Sequence, residues 1–387
     1  MGNTKSKVKH PSVLHEAVSN GHFGTVKHLL AHKLPVDVKD EQGTVPLHIA
    51  SELGHYAIMR LLLEEWANVN VQDDSKHSAL HLAAQNGHIE CMKLLIAHRA
   101  NLNLRDTWDR TPLHKAIINN QIKAAKYLLT FKQCSVNIPD EIKRMVLHTA
   151  ASYGQCDLVA EIIAHGGIID WQDIKGRTAL YLAVLVDHIE VVKLLIDSGA
   201  NVELSNTSNV SPLILAAQKG FLECVRLLLD AGAKTRHSPE FAYPLNSAML
   251  RACSKKDTNK CLAYMEICRL IIQSDGEPPP NQTFYVAYRW VQQEQENEVV
   301  LHEMLDVIHL MFLAGMTTDF TTLTMDSRHD NLINEWRAKY LARCLSLKDV
   351  SRRALRSHLQ GIYPNLIYAV GRLNLPRRIK EMILLKD

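Results

Sequence analysis

The sequence predicts an all-α fold, an elongated solenoid of helix-turn-helix repeats with short hairpin loops. A Leu-His dipeptide, or a variant of it, recurs at steps of 32 to 34 residues through most of the chain. Within each unit the apolar residues follow helical spacing, as in Ile89, Met92 and Leu95. A chain of 387 residues is also too long for one ordinary compact core, which favours an elongated array.

Eight dipeptides mark equivalent positions of the repeat. They are Leu14-His15, Leu47-His48, Leu80-His81, Leu113-His114, Leu147-His148, Leu180-Tyr181, Leu213-Ile214 and Leu245-Asn246. Each dipeptide lies near the start of a predicted first helix. In Thr111-Pro112 the Thr suits a helix N-cap, and the Pro suits the first helical position because its missing N–H costs nothing there. No single repeat can bury its own faces, so stacking supplies both stability and a binding surface.

These segments resemble ankyrin repeats. Residues 43–50 (GTVPLHIA), 78–84 (SALHLAA) and 110–116 (RTPLHKA) carry most of the family pattern. The resemblance implies a protein-binding array, with about eight ankyrin repeats over residues 13–275 and a divergent capping repeat over residues 276–320. A flexible basic tail is expected over residues 1–12, and a connecting segment with a helix over residues 321–345.

Two turns of the array are predicted to be unusual. Gly199 and Gly232 stand where a second helix ends and φ becomes positive, whereas Trp66 and Arg99 occupy the same position in earlier repeats. Those two turns are therefore expected to be either strained or built differently. Trp171 aligns with apolar residues of the other repeats and is predicted to belong to the core.

An amphipathic helix is predicted near residue 350. Its apolar face carries residues at spacings of three and four: Leu347, Val350, Ser351, Ala354, Leu355 and Leu359. Its opposite face carries Lys348, Arg352, Arg353 and Arg356. From this pattern alone, the helix either packs on the array or offers its apolar stripe to a partner.

Residues 346–387 resemble a SOCS box, the suppressor-of-cytokine-signalling module that follows the repeats in ankyrin-repeat SOCS-box proteins. The positions that match the elongin-binding half of that module are Leu347, Ser351 and Leu355. The positions that match its cullin-contacting motif are Leu373, Leu375 and Pro376. The resemblance implies a small C-terminal three-helix SOCS box that binds elongin C and elongin B. A cullin, with the fifth expected, would then dock with its RING protein.

Two residues depart from the SOCS-box pattern. Ser351 replaces the usual Cys, and a buried hydroxyl without a partner costs about 1–3 kcal/mol, so elongin binding is expected to be weaker than usual. Asn374 replaces the first Pro of the cullin motif, which removes a preset φ and leaves the choice of cullin open.

The predicted function is that of a non-catalytic substrate-recognition adaptor of a ubiquitin ligase, in which the repeats bind the substrate and the box recruits the ligase. The alternative is a non-degradative scaffold or inhibitor held at a membrane. Gly2 fits the N-myristoylation pattern, and Lys5, Lys7 and Lys9 would add attraction to anionic lipid.

The amino-acid composition limits the classes of partner and cofactor that can be expected. A net charge of +3 is too small to propose nucleic acid as a partner, and no cofactor or metal motif is recognised. The eight cysteines are scattered singly and no secretory signal precedes the repeats, so a cytoplasmic protein is expected, held at a membrane only in the Gly2 alternative. Trp108, at a predicted hairpin tip, and Tyr153, at the end of a first helix, are the candidate substrate-binding residues.

Overall fold

The computed structural model describes residues 13–235, 244–254, 258–274, 287 and 298–313. Over these residues the chain contains no strand, and one isolated bridge pairs Gln72 with Ser78. The all-α class is confirmed. The predicted N-terminal tail, the connecting segment and the SOCS-box-like segment lie outside the described residues.

The first compact unit, Met1–Asn201, has helices in pairs over its described part. They are α1 (Val13–Ser19), α2 (Phe23–Ala31), α3 (Pro46–Leu53), α4 (Tyr56–Glu64), α5 (Ala79–Asn86), α6 (Ile89–Ala97), α7 (Pro112–Ile118), α8 (Ile122–Leu129), α9 (Val146–Ser152), α10 (Cys156–Ala164), α11 (Ala179–Leu185) and α12 (Ile189–Asp197). Each first helix packs on the first helix of the next repeat, and each second helix on the next second helix. Two helical layers result, as expected of a solenoid.

The second unit, Val202–Asp387, also contains α-helices over its described part. Its described helices are α13 (Pro212–Lys219), α14 (Leu222–Asp230), α15 (Pro244–Ser254), α16 (Thr258–Ser274) and α17 (Glu298–Leu313). Helix α13 packs on α14 and α15, and α16 packs on α14, α15 and α17.

The core of the first unit is periodic. The leucines of the repeated dipeptide are at most 1% exposed: Leu14, Leu47, Leu80, Leu113, Leu147 and Leu180. One residue of each second helix is fully buried at the matching position: Val26, Met59, Met92, Ala125, Val159 and Val192. Burying one Leu contributes about 1.5–3 kcal/mol, so this ladder holds neighbouring repeats together.

The histidine of the dipeptide connects a helix start to the following repeat in several of the units that carry it. The backbone N–H of Ser78 donates to Nδ1 of His81 at 3.1 Å, and Nε2 of His81 lies 3.0 Å from the carbonyl oxygen of Arg110. Because Nδ1 accepts, Nε2 carries the proton and donates. His48 and His148 are held in the same way. Burial lowers the pKa of His81 and of His148 to about 4, so both stay neutral at physiological pH.

The two unusual turns are strained. Trp66 and Arg99 adopt positive φ angles of 64° and 65°, in the same left-handed region as Gly199 at 88°. The alternative of a differently built turn is therefore excluded at both positions. Trp66 is also 90% exposed, so no burial of its ring offsets this backbone cost.

The prediction that Trp171 belongs to the core is wrong. The Trp171 side chain is half-buried, as are the residues aligned with it. Its indole N–H donates to the carbonyl oxygen of Lys143 at 2.8 Å, so the ring lies against the preceding hairpin. An indole needs a partner for its N–H, and the edge of the stack provides one.

We expect Arg99→Gly to raise the free energy of unfolding by about 0.5–1 kcal/mol. Relief of the left-handed strain, about 1–2 kcal/mol, outweighs the entropy that glycine adds to the unfolded chain. Gly199→Ala is the matched change in the opposite direction, since a Cβ at Gly199 meets no atom within 4 Å. It should destabilise by about 1 kcal/mol. Urea denaturation measures both, and a stability loss in Arg99→Gly would contradict the assignment of strain.

Candidate protein-binding surface

Each hairpin of the first unit is closed by an aspartate at its base. The backbone N–H of Asp106 donates to the carbonyl oxygen of Arg110 at 2.9 Å. Its Oδ1 accepts the N–H groups of Trp108 and Arg110 at 2.8 and 2.9 Å. The same closure is made by Asp40, Asp140 and Asp173. Since an aspartate side chain readily caps backbone donors, this residue fixes the turn.

Backbone hydrogen bonds join neighbouring tips. The donor and acceptor pairs are Asp74 to Gln42 at 3.0 Å, Thr107 to Ser75 at 3.1 Å, Glu141 to Trp108 at 3.0 Å and Ile174 to Ile142 at 3.0 Å. The tips therefore form one continuous edge of the first unit, and their side chains are presented at fixed spacing.

Trp108 lies on this edge and remains 44% exposed. The Lys115 Nζ lies 5.4 Å from the centre of its ring, and the guanidinium carbon of Arg110 lies 5.5 Å from it. The His77 ring lies 6.3 Å away, centre to centre. Cations at these distances are attracted to an indole, so the ring is oriented before any partner arrives.

Asp106 is the buried anion beneath this aromatic ring. Its side chain is 0% exposed, and its Oδ2 lies 3.3 Å from the Lys115 Nζ and 3.7 Å from the His77 Nε2. Burial would raise the pKa of Asp106. The opposing effects of His77, the two backbone donors and Lys115 are together larger and hold that pKa well below its ordinary value.

A basic side chain that reaches the aspartate of the next repeat is found at two hairpins but not at the one between them. His77 reaches Asp106 of the next repeat, and Arg144 reaches Asp173 at 3.5 Å. Arg110 holds the equivalent position but makes no ion pair with Asp140 among the described residues, and its buried Nε has no hydrogen-bond partner. Burial raises the pKa of Asp140. Its two backbone donors and the charges of Arg110 and Arg144 lower that pKa, but together they do not offset the effect of burial.

Two apolar side chains continue the exposed edge. Ile142 is 38% exposed and Ile174 is 58% exposed, and the backbone ladder places their tips in series with that of Trp108. We call the side chains of Trp108, Arg110, Ile142 and Ile174 the tip row. An aromatic ring, a cation and two aliphatic groups on one rigid edge can bind a protein segment.

Tyr153 lies elsewhere on its repeat. It follows the last residue of α9, one helix length or ~10 Å from the hairpin that precedes that helix, and it is 54% exposed. The structure therefore does not join it to the tip row. Sequence reasoning found Trp108 but missed Ile142, Ile174 and Arg110; the shared tip position would have pointed to Ile142.

The other predicted site residues lie outside the described part of the chain. They are Gly2, Lys5, Lys7, Lys9, Leu347, Ser351, Leu355, Leu373, Leu375 and Pro376. Within the described part, no helix is long and apolar enough to cross a membrane. Seven cysteines there are free, and no cluster of three metal-ligating side chains is found among the described residues.

We expect Asp106→Asn and Asp140→Asn to have opposite effects at pH 7. Asp106→Asn removes the charge from a buried ion pair and should lower the free energy of unfolding by about 3 kcal/mol. Asp140→Asn removes an uncompensated charge and should raise it by up to about 1 kcal/mol. Asn206 already occupies this position in the second unit, where it accepts the same two backbone bonds.

The pH dependence checks the sign of each effect. The folded pKa of Asp106 is depressed, so its contribution is present above pH ~4 and is lost below it. The folded pKa of Asp140 is raised, so the gain in Asp140→Asn should shrink as the pH falls towards 4 and the wild-type carboxyl takes up its proton. Urea denaturation at pH 7 and pH 4 measures both; a loss for both variants at pH 7 would contradict the assignment of an uncompensated charge to Asp140.

Comparisons with known proteins agree with this fold. A family model of ankyrin repeats (three copies) matches residues 2–73, 58–140 and 147–239. Among solved structures, the human ASB11 ankyrin repeat domain is 27% identical with a TM-score of 0.50, and the match covers 59% of this chain and all of that one. No curated protein matches the chain by sequence. Ankyrin repeats are protein-interaction modules, and since their model matches more than half of these 387 residues, the chain belongs to the ankyrin-repeat family.

Proposed function

We propose that this chain is a substrate-recognition adaptor of an elongin B/C–cullin–RING ubiquitin ligase, acting in the cytoplasm. The repeats bind the substrate, and residues 346–387 recruit the ligase. The observation that carries the proposal is the order of the two parts, a SOCS-box-like segment after an ankyrin array. The likeness of the repeats to those of ASB11 supports the array half of this assignment.

The recruiting surface is the apolar stripe of the predicted helix near residue 350. Leu347 and Leu355 would each contribute about 1.5–3 kcal/mol if fully buried by elongin C. Leu373, Leu375 and Pro376 would then contact the cullin, with the fifth cullin expected, beside its RING protein. Elongin B would join through elongin C.

The chain itself performs no chemistry in this assignment. Ubiquitin transfer takes place on the RING side of the complex, and the adaptor makes the encounter between substrate lysines and the charged conjugating enzyme intramolecular. Tethering of this kind raises the effective concentration by orders of magnitude without any new contact at the reacting atoms.

The first test is co-expression with elongin B and elongin C, followed by size-exclusion chromatography. The wild type should co-elute with both elongins, and Leu347→Pro with Leu355→Ala should not. Proline breaks the helix and alanine empties the pocket. Arg352→Ala with Arg353→Ala is the matched control, since those residues lie on the opposite, basic face and should leave the complex intact.

Failure of the wild type to co-elute would sink the ligase assignment. The alternative, a non-degradative scaffold or inhibitor, would then take its place, with Gly2 and the nearby lysines as its membrane attachment.

Ser351→Cys tests the departure from the family pattern directly. Replacing a buried hydroxyl by a thiol that behaves as a small apolar group should tighten elongin C binding by about tenfold, or ~1.4 kcal/mol. Titration calorimetry with the elongin B/C pair measures the change, and Ser346→Cys provides a neighbouring control. Unchanged affinity in Ser351→Cys would mean that residue 351 is not buried by elongin C.

A further inference from the structure

We propose that the tip row binds an extended acidic segment of the partner protein. An Asp or Glu side chain of that segment pairs with Arg110, and its apolar neighbours cover Trp108 and Ile142. The inference rests on the proposed function only in calling this partner the ligase substrate; the surface would bind the same chemistry in a scaffold.

Arg110 supplies the specific receptor for a carboxylate. Its counterparts each lie within ion-pair distance of the aspartate of the next repeat, His77 Nε2 at 3.7 Å from Asp106 and Arg144 Nε at 3.5 Å from Asp173. Arg110 makes no ion pair within the described residues, and its buried Nε has no hydrogen-bond partner. Its guanidinium lies instead against the ring of Trp108. A planar guanidinium presents paired donors that match a carboxylate, and its position here is fixed before binding.

Trp108 supplies the apolar anchor beside that receptor. Its ring is 44% exposed, yet its backbone N–H is bonded to Asp106 and its carbonyl oxygen to the N–H of Glu141. Both flanking cations restrict the ring further. A partner that buries this ring therefore loses little conformational entropy on the receptor side, which is typical of a binding hot spot.

The charges along the edge favour an acidic partner over a basic one. The buried carboxylates at the base of the hairpins are already compensated in two cases, Asp106 by Lys115 at 3.3 Å and Asp173 by Arg177 at 2.6 Å. The exposed cations Lys143 and Lys175 make no ion pair among the described residues. Two exposed carboxylates lie on these three tips, Asp109, which pairs with Arg105 at 3.8 Å, and Glu141, so the unpaired cations outnumber the unpaired carboxylate.

The arrangement of the tips favours an extended segment. Trp108, Ile142 and Ile174 lie on successive tips that backbone hydrogen bonds hold in series. A strand-like segment that crosses these tips can place alternate side chains against them, as extended peptides do in other recognition grooves.

Selection from a displayed library tests the proposal without a known partner. Random twelve-residue peptides are selected against the full-length wild-type chain and against Arg110→Glu. Wild-type binders should be enriched in Asp or Glu flanked by apolar residues, and Arg110→Glu should reverse this preference towards Lys and Arg. Arg60→Glu is the matched control, because Arg60 is exposed and lies on the second helix α4 rather than on a hairpin tip; it should keep the acidic preference.

Affinity measurements then test the anchor. The most enriched wild-type peptide, labelled with fluorescein, should bind Trp108→Ala at least about tenfold more weakly by anisotropy, and Ile142→Ala several-fold more weakly. Trp66→Ala is the control, since Trp66 is 90% exposed but lies at the end of a second helix rather than on a hairpin tip. It should bind as the wild type does. Binding should also weaken as salt is raised, because a charge pair contributes.

Several results would overturn the inference. They are the absence of selected binders, binders without acidic enrichment, or equal losses in Trp66→Ala and Trp108→Ala. Thermal denaturation followed by circular dichroism verifies that each variant is folded before its binding is interpreted. Elongin co-elution should not depend on the tip row, so failure here is distinguishable from failure of the ligase assignment.

Discussion

The first five repeats depend on one buried side chain each, the histidine of the Leu-His dipeptide, which Tyr181, Ile214 and Asn246 replace further along the chain. Its Nδ1 accepts the N–H at the start of its own helix, and its Nε2 donates to a carbonyl oxygen of the following repeat, as in His48 and His81. One ring thus fixes where a helix begins and how the next hairpin sits against it. Protonation would remove the acceptor, which is why burial and the lowered pKa are part of the design.

The aspartates of the hairpins also hold the backbone in place, and they add charge to the interior of the array. Each organises its own turn through backbone donors, and two of them, Asp106 and Asp173, are also neutralised by a basic residue of the same or the preceding repeat. Such buried ion pairs add little net stability. A different packing of the repeats that left one of these charges buried and unpaired would, however, be strongly destabilised. Arg110 and Asp140 make no such ion pair within the described part of the chain, and the guanidinium of Arg110 lies instead beside the exposed ring of Trp108. The unpaired charges lower the stability of the free protein locally. Such a cost beside an exposed ring is expected at a binding site, where contacts with the partner offset it.

The sequence was sufficient for the fold because each repeat carries the same local signals. The Leu-His spacing, Pro112 at a helix start and the glycine turns all act within one repeat, so they can be recognised without coordinates. Trp108 could be placed at a tip for the same reason. The environment of that ring could not be predicted, since Arg110, Lys115 and His77 approach it through the geometry of neighbouring hairpins. Trp171 was misplaced because an aligned position specifies a register and not a degree of burial.

The tip row also bears on how an adaptor of this kind would work. A ligase subunit must hold a substrate long enough for ubiquitin transfer and then release it, so very tight binding gives no advantage. Pre-ordering Trp108 and Arg110 would lower the entropic cost of capture. In the proposed adaptor, the tether to the ligase would supply effective concentration that the contacts themselves do not provide. Under that proposal, a rigid receptor joined to a separate recruiting segment would meet both requirements, because affinity for the substrate and attachment to the ligase could change independently.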